Sequence, residues 1–228
     1  MQQTNVKQAA AEEAVTYIKS GMTIGLGTGS TTYFAIKKIG ARVAEEGLQI
    51  RAIATSERSE ALAKELNIPI VGFEDFNELD ITIDGADEVD ENLNLIKGGG
   101  GALLREKIVS MQTRKNIIVV DESKLVTHLG RFPLPVEVVP FALTVVNKKM
   151  QQLGCTTTLR KAEGETYITD NQNYILDCHF GKITNPAALH ETINDITGVV
   201  DNGLFIQRAS LVIAAYGNGT VKTFKKEN

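Results

Sequence analysis

Residues 22–32, Met22-Thr23-Ile24-Gly25-Leu26-Gly27-Thr28-Gly29-Ser30-Thr31-Thr32, decide the fold. A short apolar run over 22–26 enters a set of glycines. It leaves through hydroxyl residues into a stretch, 30–46, whose apolar positions recur at helical spacing and which is closed by Gly47. Strand, glycine turn and helix in that order open a β-α-β unit. The same alternation extends both ways. Upstream, Val6, Ala9, Ala10, Ala14, Tyr17 and Ile18 predict a helix within 6–19. Downstream come a strand over 50–54 and the hydroxyls Thr55 and Ser56, which can cap a helix over 57–66. Short β-branched runs follow at 68–71 and 79–83, then a helix over 102–111 and a strand over 116–120. Strands alternating with helices predict right-handed crossovers and a mostly parallel sheet covered on both faces, with ligands at the carboxyl ends of its strands.

The pattern changes at Pro133 and Pro135, with a third proline at Pro140. Beyond them the sequence predicts a strand (136–139), a helix (142–153), three strand-like stretches (156–160, 166–169 and 174–179), a helix (187–194) and a strand ending at Val200. That β-α-β-β-α-β order is ferredoxin-like. Residues 209–216 and 219–224 flank Gly217-Asn218 as a hairpin, and the first is apolar enough for a buried strand. The chain is therefore expected to return to its first sheet. The expected fold is an open Rossmann-like α/β domain, residues 1–130 plus 207–228, with a smaller ferredoxin-like α+β domain inserted over 131–206.

Composition narrows the function. The 228 residues carry 24 Lys+Arg against 28 Asp+Glu, a net charge of −4, without a basic tract. Nucleic acid is thus not an expected partner, since phosphate backbones require clustered positive charge. No apolar run approaches the roughly 18 residues that span a bilayer, and the opening MQQTNVKQAAAEEAV lacks a basic region followed by an apolar one. Neither membrane attachment nor export is expected, and the cytoplasm is the expected compartment. Cys155 and Cys178 form no C-x-x-C pair and are too few for a disulfide framework. His128, His179 and His190 show no metal-ligand spacing, so no metal site is expected.

Four motifs carry chemistry. Gly25 to Thr32 places free helix N–H groups and hydroxyls where a phosphate can sit. The dinucleotide pattern G-x-G-x-x-G fails at Ser30, and a Walker loop fails because no lysine follows the last glycine. The plain alternative is a tight turn capped by Ser30. The second motif, Asp84-Gly85-Ala86-Asp87-Glu88-Val89-Asp90-Glu91, crowds carboxylates at a strand end, where some must find hydrogen-bond partners. In the third, Lys97 precedes Gly98, Gly99, Gly100 and Gly101 and then a helix bearing Glu106 on a partly apolar face. Consecutive glycines are costly and mark close backbone approach, and a desolvated Glu106 suits a general base. The fourth, Asp121-Glu122-Ser123-Lys124, sets Lys124 at another strand end.

In this order and spacing, GLGTGST (25–31), DGADEVD (84–90), KGGGGALLREK (97–107) and DESK (121–124) resemble the type A ribose-5-phosphate isomerases. The resemblance covers essentially the whole chain, including LGRFPLPVEV (129–138) and GLF (203–205), and no motif position departs from the family pattern. It implies an aldose–ketose isomerase without metal or cofactor, acting on a sugar phosphate through an enediol, as a homodimer or homotetramer. It further implies that Glu106 is the general base and that Asp84 assists ring opening, with Asp87 and Lys97 near the sugar oxygens. Thr28, Gly29, Ser30, Thr31, Gly85, Ala86, Gly98, Gly99, Gly100 and Lys124 would contact substrate. Lys7 matches a lysine found near the phosphate in relatives. Two readings compete: a coenzyme A transferase using Glu106 as nucleophile, and a sugar-phosphate sensor of related fold.

Overall fold

A computed structural model describes residues 3–225; residues 1, 2 and 226–228 of the expected first domain lie outside the described residues. By their contacts the described residues form two compact units: 3–86, 105–124 and 208–225 in the first, 87–104 and 125–207 in the second.

The first unit holds α1 (Gln3–Val15), β1 (Thr23–Leu26), α2 (Ser30–Glu46), β2 (Arg51–Ala54), α3 (Glu57–Glu65) and β3 (Leu79–Asp84). Most of α4 (Leu103–Met111) belongs to it, with β6 (Thr113–Asp121), β14 (Leu211–Ala215) and β15 (Val221–Lys225). Among the described residues these strands form a six-stranded sheet in the order β15-β14-β6-β3-β1-β2, parallel except for the edge strand β15. The hairpin return read from Gly217-Asn218 is therefore present. The strands read as near-continuous apolar runs because both faces are covered. Ile24, Leu26, Ile81, Ile83, Ile117, Val119, Leu211 and Ile213 pack with Ala10, Ala14 and Ile18 from the N-terminal segment and with Ile36 and Ile39 of α2 in one core. Gly47, at φ 67°, stops α2, and its N–H donates to the Arg42 carbonyl. The Arg42 guanidinium in turn donates to the carbonyls of Val15 and Ile18, at 2.9 and 3.0 Å, and so closes the α1 end.

The second unit contains β4 (Glu88–Val89), β5 (Leu95–Ile96), β7 (Leu134–Val138), α5 (Leu143–Gln152), β8 (Thr156–Leu159) and β9 (Lys161–Ala162). It continues with β10 (Glu165–Thr166), β11 (Tyr174–His179), α6 (Pro186–Asn194), β12 (Val199–Asn202) and β13 (Leu204–Phe205). Its antiparallel sheet, β12-β7-β11-β8, has the ferredoxin-like order. Leu134, Val136 and Val138 alternate onto a core with Val146, Met150, Leu176, Cys178 and Ile193. Both cysteines are buried thiols.

Three sequence readings are corrected. Residues 68–71 are not a strand: a single parallel bridge joins Ile70 to Ala52, because Pro69 has no N–H to donate and Gly72 follows at once. Residues 166–169 do not continue as a strand. The chain instead turns through Glu163 (φ 53°) and Gly164 (φ 90°) between β9 and β10, and Thr169 is drawn away by the buried Glu137. Residues 87–104 pack with the second unit, since β5 pairs with β13 and β4 with β5.

Candidate active site

In the first unit, β1 lies between β2, which follows it in the chain, and β3, which comes later on its other side. Strand order reverses there, which opens a crevice at the carboxyl ends of β1 and β3. The two ends are tied: Gly27 N–H donates to the Ile83 carbonyl at 2.9 Å and Thr28 N–H to Asp84 Oδ1 at 3.1 Å. Asp84, 4 % exposed, also accepts from the Gly85 N–H at 2.8 Å. The glycines of this turn do different jobs. A Cβ on Gly25 would lie 2.1 Å from Thr82 Oγ1, and one on Gly27 2.6 Å from the Asp84 Cα. Both therefore serve the close approach of β1 to β3. Gly29, at φ 127°, is the N-cap of α2, with no side chain to accept from the first-turn N–H groups, and a Cβ there would meet only Thr32 Oγ1, at 3.8 Å. Such donors and the helix dipole favour an anion in front of the turn. Ser30 does not cap the helix, as the plain alternative required. Its hydroxyl accepts from Lys7 Nζ at 2.9 Å, which brings an ammonium to the turn.

Thr28 is held by a cluster of hydroxyls. Its Oγ1 lies 2.7 Å from Thr55 Oγ1, 2.8 Å from Ser56 Oγ and 3.4 Å from Ser59 Oγ, while Ser59 Oγ donates to the Gly27 carbonyl at 2.8 Å. The Thr28 hydroxyl is thus committed inside the protein. Ser56 caps α3, accepting from the Ser59 N–H at 3.2 Å. Ser59 escaped sequence reading. Its only local signal is its place three residues after the cap.

Glu106 lies in the first turn of α4 and is 4 % exposed, next to the buried Lys107. Arg105 Nη2 approaches Glu57 Oε1 at 3.7 Å. Lys124 is half-buried in a single helical turn that follows β6, and Asp121 Oδ1 accepts from the Ser123 N–H at 3.0 Å to set that turn.

The second unit holds Asp87 and the glycine run. Asp87 Oδ2 accepts from the Gly99 N–H at 2.7 Å, and a Cβ on Gly99 would lie 2.5 Å from that carboxylate. Gly98 and Gly101 have φ 104° and 81°. The Gly101 N–H closes a turn onto the Gly98 carbonyl at 3.0 Å. Lys97 is 3 % exposed; its N–H donates to the Gly203 carbonyl at 2.9 Å, and its Nζ lies 5.4 Å from the Phe205 ring centroid. Phe205 had been singled out only within the GLF resemblance, and its role comes from β13 pairing with β5.

The acidic run divides between the two units. Glu88 accepts from the N–H groups of Gly130 and Phe132, at 2.7 and 2.6 Å. Asp90 accepts from the N–H groups of Asn92 and Asn94, at 2.9 and 2.8 Å. Asp87 takes up the Gly99 N–H in the same unit, and Asp84 those of Thr28 and Gly85 in the first. Lys7, Thr28–Thr31, Asp84, Gly85, Ala86, Glu106 and Lys124 thus belong to the first unit, and Asp87 and Lys97–Gly100 to the second. The chain passes from one group to the other through the Ala86–Asp87 and Leu104–Arg105 peptide bonds. Among the described residues no group of three His, Cys, Asp or Glu side chains is placed to hold a metal ion.

Fold and site together define an α/β protein with a glycine turn at a helix N-terminus, a buried carboxylate at a helix start and a ferredoxin-like insertion. The family model of ribose 5-phosphate isomerase A (phosphoriboisomerase A) matches residues 51–219. A ribose-5-phosphate isomerase A of Bacillus mycoides is 53 % identical over 94 % of this chain and 97 % of its own, and one of Bacillus cereus is 57 % identical over 94 % and 98 %. Among solved structures, the ribose 5-phosphate isomerase of Plasmodium falciparum superposes with a TM-score of 0.96 at 40 % identity, covering 99 % of this chain and 100 % of its own. A D-ribose-5-phosphate isomerase in complex with phospho-erythronic acid gives 0.95 at 39 %, with the same coverage. The chain belongs to the ribose 5-phosphate isomerase A family.

Proposed function

We propose that this chain interconverts ribose 5-phosphate and ribulose 5-phosphate, with Glu106 as the base that moves a proton between C2 and C1. The observation that carries the reading is the burial of Glu106 at the start of α4, five residues beyond the glycine run. A carboxylate removed from water takes up a proton more readily. Glu106 removes the C2 proton of the open-chain aldose, the electron pair moves into an enediolate with its charge on O1, a proton passes from O2 to O1, and the same carboxylic acid returns its proton to C1 as the C2 carbonyl forms. Asp84 assists opening of the furanose ring. Lys97 and Asp87 hold the sugar oxygens, the Lys97 ammonium stabilising charge that appears only as the enediolate forms. Gly85, Ala86 and the Gly98–Gly100 backbone line the sugar. The phosphate sits at the α2 N-terminus on Gly29, Ser30 and Thr31, with Lys7 and Lys124 supplying positive charge and Thr28 fixing the turn. With a net charge of −4 against an anionic substrate, attraction has to be local.

The relatives do not favour a coenzyme A transferase or a sensor, since those compared bear the isomerase's name. The decisive assay is formation of ribulose 5-phosphate from ribose 5-phosphate by the purified protein with EDTA present. Turnover is expected to survive EDTA. Thermal stabilisation by ribose 5-phosphate without turnover would instead support the sensor.

A homo-oligomer, a dimer or tetramer, is part of the same reading. It is supported by Val139, Phe141 and Val145 around the start of α5, where Phe141 is fully exposed. No helix among the described residues is long and apolar enough to cross a membrane, and the cytoplasm is the compartment that suits a sugar-phosphate substrate. The inserted unit acts as lid and oligomerisation domain.

A further inference from the structure

The Gly98–Gly101 turn is gripped from behind by the second unit's own sheet. Arg160 directly follows β8, and both of its backbone polar groups are engaged: its N–H donates to the Ile175 carbonyl and its carbonyl accepts from the Tyr167 N–H, each at 2.9 Å. Its guanidinium makes a two-point pair with Asp177, Nε donating to Oδ2 at 2.9 Å and Nη2 to Oδ1. Both side chains are largely buried, at 13 % and 19 % exposure. The remaining arm, Nη1, donates to the Gly98 carbonyl at 2.7 Å and the Gly99 carbonyl at 3.3 Å. Tyr167 extends the same support, since its hydroxyl occupies the place a Cβ on Gly101 would need, 2.1 Å away.

In a trans peptide the carbonyl and the following N–H point in opposite directions, and every described peptide is trans. Holding the Gly98 carbonyl therefore turns the Gly99 N–H to the far side, where it meets Asp87 Oδ2 at 2.7 Å. Holding the Gly99 carbonyl turns the Gly100 N–H to that side as well. Among the described residues no acceptor takes the Gly100 N–H.

We propose that Arg160, pinned by Asp177, is a positioning residue for the isomerisation: it fixes the Gly99–Gly100 peptide so that the Gly100 N–H is presented to an oxygen of the sugar phosphate. The inference rests on the reading of Lys97–Gly100 as substrate loop. Four successive glycines have no side chains to set their own orientation, so an outside group has to supply it. A cation on the carbonyl side also polarises the peptide and strengthens its N–H as a donor. A fixed donor aimed at developing negative charge lowers the barrier rather than the ground state. Only a planar fork reaches a carboxylate and two carbonyls at once, which an ammonium cannot do.

The test compares the wild-type chain, Arg160→Lys and the double variant Arg160→Met/Asp177→Leu, which removes both charges and orphans neither. The double variant is expected to lose about 10- to 100-fold in kcat with KM within about 3-fold, and Arg160→Lys to fall between it and wild type. A kcat within about 2-fold of wild type, after correction for the folded fraction by thermal denaturation, overturns the proposal. Should the double variant not fold, Arg160→Lys decides: lowered kcat at unchanged KM supports the proposal and wild-type kcat overturns it. Glu106→Gln is assayed beside them. Full turnover in that variant would remove the reading of the site itself, whereas a dead Glu106→Gln with an unimpaired Arg160 variant would remove only the role given to Arg160.

Discussion

The two glycine-rich turns look alike as sequence and differ as structure. In Gly25–Gly29, two glycines are consumed by β1 pressing on β3, and only Gly29 leaves space in front of the backbone. In Gly98–Gly101, positive φ at Gly98 and Gly101 adds to crowding by side chains, Leu103 at Gly98, Asp87 at Gly99 and Tyr167 at Gly101. A glycine marks where a Cβ cannot be; whether the chain or a ligand fills that place is settled by the neighbouring strands.

Substitutions at these glycines separate crowding from backbone strain. Gly27→Ala should be the most damaging, because the new methyl meets the Asp84 backbone and carboxylate, neither free to withdraw. A loss of about 3 kcal/mol is expected by thermal or urea denaturation. A near-neutral Gly27→Ala would show that the β1–β3 contact is not what the glycine serves. Gly101→Ala should cost about 2 kcal/mol from its positive φ together with the Tyr167 phenol. In a Tyr167→Ala background that cost should shrink by about 1 kcal/mol, leaving the φ strain, and a double-mutant cycle measures the difference. If the cycle shows no coupling, Tyr167 does not limit the turn. Thr28→Val should cost about 1–2 kcal/mol, since it strips a hydrogen-bond partner from Thr55 and Ser56, with KM for the sugar phosphate little changed because that hydroxyl faces inward. A large rise in KM would place the hydroxyl on substrate. Ser56→Ala, which removes only the α3 cap and one member of the cluster, should cost about 1 kcal/mol by the same denaturation.

The same contrast explains what could be read in advance. The strands and helices of the first unit were readable because each buried strand is an apolar run bounded by glycine or hydroxyl residues and each helix repeats at 3.6. The Ser30–Glu46 helix and the 217–218 hairpin follow directly from that periodicity. The packing of 87–104 with the second unit was not readable, because it depends on β13, more than 100 residues downstream, pairing with β5. Arg160, Tyr167 and Asp177 were equally hidden, since no local pattern distinguishes them: Arg160 and Tyr167 meet glycines some sixty residues earlier in the chain, and Asp177 meets Arg160 from 17 residues away. Lys97 and Glu106 stood out beside the glycine run, yet their burial, which gives them their chemistry, is a property of the folded chain.

The role given to Glu106 is tested most directly by Glu106→Gln, assayed for isomerisation and titrated calorimetrically with ribose 5-phosphate. A fall in kcat of at least about 100-fold is expected, with affinity for ribose 5-phosphate kept within about 3-fold, because the change removes a base and not a binding charge. Turnover at the wild-type rate, or a loss confined to affinity with kcat intact, would contradict that role.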